Sequence, residues 1–343
     1  MNTPQTSFQT VLDSLLDANK EFPHRYLTLF SDIGSPELET LMEVWPRVDL
    51  SRKLSLLDGL KILADKDTLV NFDEFARPLL NDPEANVRVH ALRLLMESDD
   101  VKLFPIYLDL LKNDVDANVR AEAAITLAHL VAKGELEEIS EDTYSRVLAG
   151  LLESARGADV TRIRRHALES LGYSSRPEVV KLIESALQRT DSEWQASALI
   201  AIGRSADERW EDEVLRALID ENDVIRKAAV EAAGMLSLKS ARLVLLRMLA
   251  EGEEVDEITN AAIWSLSQIG GEDVRTFLEA LLDQTEEEDE EQVALLEEAL
   301  DNLAFTEDLD RFELMAIDPD DLTDLAEADE IEVDEDEEEI EDK

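Results

Sequence analysis

Apolar residues along the middle of the chain recur at steps of three and four, the spacing of one face of an α-helix, and the helical stretches come in pairs parted by short polar turns. In NDVDANVRAEAAITL (113–127) and the residues just after it, Val119, Ala123, Leu127 and Leu130 form one stripe. The preceding LFPIYLDLLKND offers a partner stripe through Phe104, Tyr107, Leu108 and Leu111. One hairpin cannot cover both of its stripes. Stacking hairpin on hairpin does, because each layer is buried by the next.

The arrangement returns as NDPEANVRVHALRLL (81–95), ADVTRIRRHALESL (158–171), TDSEWQASALIAIG (190–203), ENDVIRKAAVEAAG (221–234) and EVDEITNAAIWSLS (254–267). The residues that open the second helices, Val87, Val119, Ile163, Trp194, Ile225 and Ile258, are spaced 32, 44, 31, 31 and 33. A period just above thirty is two helices and two turns. The long step carries an insertion, placed by its glycine and charges at VAKGELEEISEDTY (131–144). LSRKLSLLDGLKIL (50–63) and EEQVALLEEALDNL (290–303) read as degenerate first and last units. The expected organisation is a helical capping segment over 1–37, a solenoid over 38–305 with its clearest repeats at 75–270, and an acidic, mostly disordered tail over 306–343.

Asp82, Asp114 and Asp220 each lie six residues before Arg88, Arg120 and Arg226, in the turn before a second helix, and Arg164 holds the same place in its unit. The spacing predicts an aspartate that caps free amides at the helix start. Its arginine then reaches the carboxylate of its own or of the neighbouring repeat. An arginine in the first turn is poorly served by its helix dipole, so it needs a specific partner. The pattern lapses at Gln195 and Thr259, where such a ladder should be interrupted.

NDPEANVRVHALRLL, NDVDANVRAEAAITL and ENDVIRKAAVEAAG resemble the HEAT-repeat family, in particular the short bacterial units of phycobilin-lyase-like proteins. The resemblance implies an all-α, right-handed superhelical solenoid of helical hairpins that serves as a protein-binding scaffold, with an enzyme or cofactor-handling protein of the lyase type as the alternative. A di-iron hydroxylase of the same family uses His-Glu pairs, and none of His24, His90, His129 or His166 is followed by Glu.

Composition narrows the chemistry. Without cysteine there is no disulfide framework, thiolate nucleophile or Cys-based zinc site. No dinucleotide, P-loop, zincin or hydrolase-elbow motif occurs, so no catalytic, cofactor-binding or metal-ligating residues are assigned, and a non-enzymatic protein is expected. With no signal-like opening and no run of eighteen apolar residues, the expected location is cytoplasmic, with no membrane partner.

Charge adds the most. The chain has 33 basic and 81 acidic residues, net −48, of which −15 falls on 318–343 and −33 on the rest. Such a surface repels phosphate backbones, so direct nucleic-acid binding is not expected. A basic protein partner is. A role for the acidity in solubility alone remains the alternative. ESLGYSSRPEVV (169–180) and AIGRSADERWEDEVL (201–215) place Tyr173, Arg176, Arg204, Arg209 and Trp210 at equivalent turns, a candidate protein-binding edge, since aromatics and Arg anchor interfaces. The competing reading has Tyr173 and Trp210 fill gaps between layers. A monomer is expected.

Overall fold

The computed structural model describes residues 8–253, 255–286 and 289–314, with side chains through 308. The chain divides into two compact units, Met1–Ala262 and Ile263–Lys343.

In the first unit short first helices alternate with second helices: α2 (Ser35–Val44) and α3 (Leu50–Lys66), α4 (Asp73–Leu79) and α5 (Ala85–Leu94), α6 (Phe104–Asn113) and α7 (Ala117–Glu135), α8 (Glu141–Arg156) and α9 (Thr161–Leu171), α10 (Pro177–Leu187) and α11 (Ser192–Arg204), α12 (Glu211–Ala217) and α13 (Asp223–Met235), then α14 (Arg242–Glu251). The next helix, α15, is Asp256–Ile269. From α3 to α13 each second helix packs on the second helix of the next pair, and from α4 onward also on its own first helix. The architecture is an all-α solenoid of stacked hairpins. The second unit pairs α16 (Glu272–Gln284) with α17 (Glu290–Leu314).

The expected anchors lie in the core: Val87, Val119, Ile163 and Ile258 are fully buried, and Trp194 and Ile225 nearly so. The alanines at Ala91, Ala123, Ala124, Ala198, Ala229, Ala232 and Ala233 lie in the same layers. Being small, they let helices come close while favouring the helix itself. Closest approach is made by glycine. A Cβ on Gly172 at the end of α9 would stand 2.5 Å from the Ala201 carbonyl oxygen and 2.6 Å from its Cα on α11. One layer on, a Cβ on Gly203 of α11 would stand 3.0 Å from Ala232 Cα on α13.

The insertion sits where the sequence places it, but it is helical. The extra residues extend α7 to 19 residues and α8 to 16, and Gly134 stays inside α7 because the ring of buried Tyr144 lies over it, 2.1 Å from where a Cβ would be.

Ahead of α3, an N-terminal helix α1 (Phe8–Leu16) and a 3-10 turn, His24–Phe30, bring aromatics together. Phe30 lies edge-on to Phe8, Phe22 and Phe75 at 6.5, 6.2 and 5.1 Å, and Trp45 meets Phe75 at 5.5 Å. This aromatic layer covers the apolar side that the first repeat has no predecessor to cover. At the other end, the tail expected from 306 begins inside a helix. Thr306 donates to the Ser267 carbonyl at 3.1 Å and Glu307 accepts from Arg275 at 2.6 Å, which ties both residues into the second unit. Residues 315–343, the remainder of the acidic tail, lie outside the described residues.

The Gly172 contact gives a direct test of layer spacing. Alanine is the better helix former by up to about 1 kcal/mol, yet here its methyl meets backbone, which cannot rotate aside. Gly172→Ala should therefore lower unfolding free energy by about 1–3 kcal/mol in urea denaturation, and a stabilising effect would show that α9 and α11 have room to part.

Candidate functional site

The charged residues of the turns form cross-links between repeats with a constant rule. In α3, α5, α7 and α13 the cation four residues after the N-cap reaches the acid in the turn that opens the next second helix. Arg88 donates from Nε and Nη2 to both oxygens of Asp114, each at 2.8 Å, and from Nη1 to the Asp82 carbonyl at 2.8 Å. Arg120 grips Asp159 at 2.7 and 2.8 Å and the Asp114 carbonyl at 2.8 Å. Arg226 grips Glu253 at 3.1 and 2.9 Å and the Asp220 carbonyl at 2.9 Å. The spacing of six thus marks a backbone contact within the repeat, and the carboxylate contact crosses to the next.

Each aspartate holds its turn as well. Asp82, Asp114 and Asp220 accept from the amides of Glu84, Asp116 and Asn222 at 2.8 to 2.9 Å. α7 and α13 are then capped two residues later, where Asp116 and Asn222 accept from Asn118 and Val224, while Glu84 gives α5 no side-chain cap. Capping, expected of the first aspartate, belongs to the second acceptor. Asp82 completes a further rung: its carboxylate accepts from Trp45 Nε1 at 2.7 Å and Lys53 Nζ at 3.3 Å, with both charged side chains buried. Lys53 stands four residues after the N-cap Asp49 of α3 and takes the arginine's place.

Arg164 departs from the expected ladder. Among the described residues it meets no carboxylate: its Nε donates to the Ala155 carbonyl at 3.3 Å and its guanidinium lies 5.3 Å from the Trp194 ring centroid. The reason is local. Two residues before the N-cap of α11, where Asp82, Asp114 and Asp220 stand in their repeats, this repeat has Arg189, which lies 4.0 Å from the same ring. The following rung also lapses, as Gln195 donates to the Leu187 carbonyl at 3.2 Å and Asp220 keeps only its turn. At Thr259 the side chain retains the carbonyl contact alone, with Glu253 at 3.5 Å.

A second line of polar contacts runs along the second helices. Asp58 meets His90 at 2.9 Å, Arg93 meets Glu122 at 3.1 Å, and Ser197 donates to Glu169. Burial pushes the Glu169 carboxyl up, but hydrogen bonds from His166 and Ser197 outweigh it and hold it below its ordinary value. His166 and His90 are thereby explained as members of cross-links. Among the described residues no group of three or more His, Cys, Asp or Glu is placed to hold a metal ion.

Of the candidate edge, Arg209 is exposed, Tyr173, Arg176 and Arg204 are half-buried, and Trp210 alone of the five is buried. Trp210, in a 3-10 turn at Glu208–Trp210, is 5% exposed and belongs to the core. Tyr173 is half-buried beneath Arg204, 5.5 Å from its ring centroid. Arg176 pairs with Glu141 at 2.6 Å and covers Tyr144, and Arg209 pairs with Asp207 in its own turn. Apolar turn residues at layer boundaries are as well suited to filling a joint as to binding, and here the joint takes Trp210.

Open space lies instead between first helices. A groove of about 470 Å³ runs between α6 and α8, floored by Leu108, Leu111 and Gly150 and edged by Arg146 and Glu153. Another of about 610 Å³ lies at the equivalent place between α12 and α14, with Leu218, Ile219, Val244 and Met248 and the edge residues Arg247 and Glu251. Each ends on a rung, Asp159 in the first and Arg226 with Glu253 in the second.

Two measurements follow from these placements. Arg120 holds the Asp159 carboxyl below the usual carboxylate range. Such a group adds stability above the unfolded chain's value near 4 and loses it as pH falls through the lower folded one. Asp159→Asn and Arg120→Ala should each cost about 1–3 kcal/mol at neutral pH, and the gap from wild type should close on acidification below about pH 4; a gap independent of pH in urea titrations would mean that the rung is not ionic. Trp210→Ala should cost about 3–5 kcal/mol, as for other buried aromatics, whereas a loss below about 1 kcal/mol would return Trp210 to the surface.

A HEAT-repeat family model matches residues 74–171, 148–234 and 211–301. No curated protein matches the chain. Among solved structures, the YibA protein of E. coli is similar at 16% identity and a TM-score of 0.37, over 89% of this chain and 99% of that one. An importin beta is similar at 12% identity and 0.44, over 86% of this chain and 46% of that one. Human deoxyhypusine hydroxylase is similar at 15% and 0.34, over 87% and 96%. The family match is to HEAT repeats as such, a coarser result than the phycobilin-lyase-like type that the repeat sequences resemble. The three overlapping matches run through the hairpins whose turns carry the arginine rungs and span about two thirds of the sequence, and the chain belongs to the HEAT-repeat family.

Proposed function

We propose that this protein is a non-enzymatic interaction scaffold for a basic protein, acting in the cytoplasm as an assembly or chaperone-like factor. The observation that carries the reading is charge left over after the rungs are counted: pairing every one of the 33 cations would still leave 48 carboxylates without a counter-charge. Internal structure uses the acids of the turns and those that pair along the helices, and these leave a large excess. The remainder sets up a field that draws in cations and speeds their encounter. The two first-helix grooves supply apolar floors where buried contacts would choose among cationic partners. No helix among the described residues is long and apolar enough to cross a membrane.

Affinity purification of the full chain at moderate salt, with mass spectrometry, tests the partner class. Surface plasmon resonance on the recovered protein tests the mechanism. Association should slow steeply as salt rises toward 0.15 M, where the field reaches only about 8 Å. Removal of residues 318–343 should slow association with little change in dissociation. Recovery of partners no richer in Lys and Arg than average, or an association rate indifferent to salt, would leave the acidity to solubility alone.

A further inference from the structure

Around Trp194 the ladder presents two cations and no acid. Arg164 and Arg189 both lie against the indole, 5.3 and 4.0 Å from its centroid, and neither has an ion-pair partner among the described residues. Arg164 spends only Nε on a protein acceptor, and Arg189 is exposed and spends no side-chain donor. In a chain with 81 acids, two guanidinium groups on one ring without a carboxylate call for a reason. The carboxylates nearest in sequence are committed elsewhere: Asp159 to Arg120, Glu193 to Arg165, and Asp191 to the Glu193 amide as the cap of α11. The neighbouring rungs define what is missing, since Arg88, Arg120 and Arg226 each take both oxygens of one carboxylate.

We propose that Arg164 and Arg189, both held against the buried Trp194 ring, form a receptor for a single carboxylate, supplied by an aspartate or glutamate side chain in an acidic segment of a protein partner. The incoming acid completes from outside the rung that this repeat does not complete from within. Two guanidinium forks converging on one carboxylate satisfy donors that have no protein acceptor and relieve the repulsion between the like charges. One carboxylate fits better than a nucleic acid, because the field of the remaining surface repels a polyanion at long range while a contact pair on the protein is screened little. The same field gives the interaction a signature opposite to that of a basic partner. Salt weakens the long-range repulsion, so association with an acidic ligand should speed up as salt is added.

The probe is an end-capped tetraglutamate peptide, with tetraglutamine and inorganic phosphate as comparisons, titrated into the full chain by calorimetry and followed by surface plasmon resonance. Tetraglutamate should bind, tetraglutamine should not, and Arg164→Gln should weaken binding at least tenfold. That variant should fold, since Gln195 already occupies the equivalent position in the next repeat. Arg189→Asp installs the absent acid and should abolish binding while raising the thermal midpoint. Absence of tetraglutamate binding, equal binding by the two variants and wild type, or phosphate binding as tight as the peptide's would each overturn the proposal. So would a lowered midpoint in Arg189→Asp, which would make the stacked pair a rung in its own right. Association of tetraglutamate that accelerates with salt, beside a basic partner whose association slows, separates this receptor from the scaffold reading, and either can fail alone.

Discussion

A guanidinium held in a layer boundary must find its counter-charge across that boundary, and this requirement fixes how one repeat sits on the next. The side chains of Arg88 and Asp114 are only 10% and 6% exposed. Removing both from water is costly, and the attraction regained is of similar size, so the pair adds little net stability. What it adds is register. A layer turned or slid by a few ångströms would leave two buried charges apart, a far larger penalty than any loss of apolar contact. The glycine contacts act in the same sense, since Gly172 on Ala201 and Gly203 on Ala232 admit one close approach and no other. Apolar burial drives the stacking, while these pairs and contacts choose among the ways of stacking.

Much of this was legible in the sequence because the repeat reports itself several times over. Val87, Val119, Ile163 and Ile258 mark the core, and Arg88, Arg120 and Arg226 mark the boundaries. The geometry of the rung was less so. A spacing of six points to a partner in the same turn, and it does reach that turn, but by a backbone carbonyl; the carboxylate lies 26 residues on for Arg88 and 39 for Arg120. Separations that vary with helix length leave no fixed spacing to read. Lys53 was hidden because a lysine does not match an arginine pattern, though one buried cation serves as well as another for Asp82. Asp159 was hidden by standing one residue, not two, before its N-cap.

The burial of Trp210 was hidden for a different reason. Tyr173, Arg176, Arg204, Arg209 and Trp210 share equivalent turns, and sequence correctly groups them by position. Whether a turn residue faces outward depends on how the adjoining layers close over it, which is set by the neighbours' packing. Trp210 is large enough to fill the joint and does so. Conversely, the pairing of Arg189 with Trp194 is invisible in the sequence, where an arginine at an aspartate's place is simple loss of a pattern; only the fold puts two guanidinium groups on one ring.

The rungs also have a direction. Lys53, Arg88, Arg120 and Arg226 all take their carboxylates from residues later in the chain. During synthesis each repeat therefore emerges with its cation already exposed and its counter-ion still unmade. At roughly 5–20 residues per second, the 39 residues from Arg120 to Asp159 take about 2–8 s. Most of α7 and all of α8 lie within this interval, so the slowest of these rungs to close is the one that waits for the longest hairpin. Until then the newest layer presents an unpaired arginine beside an uncovered apolar stripe, and the growing end of the solenoid is for those seconds a different surface from the finished one.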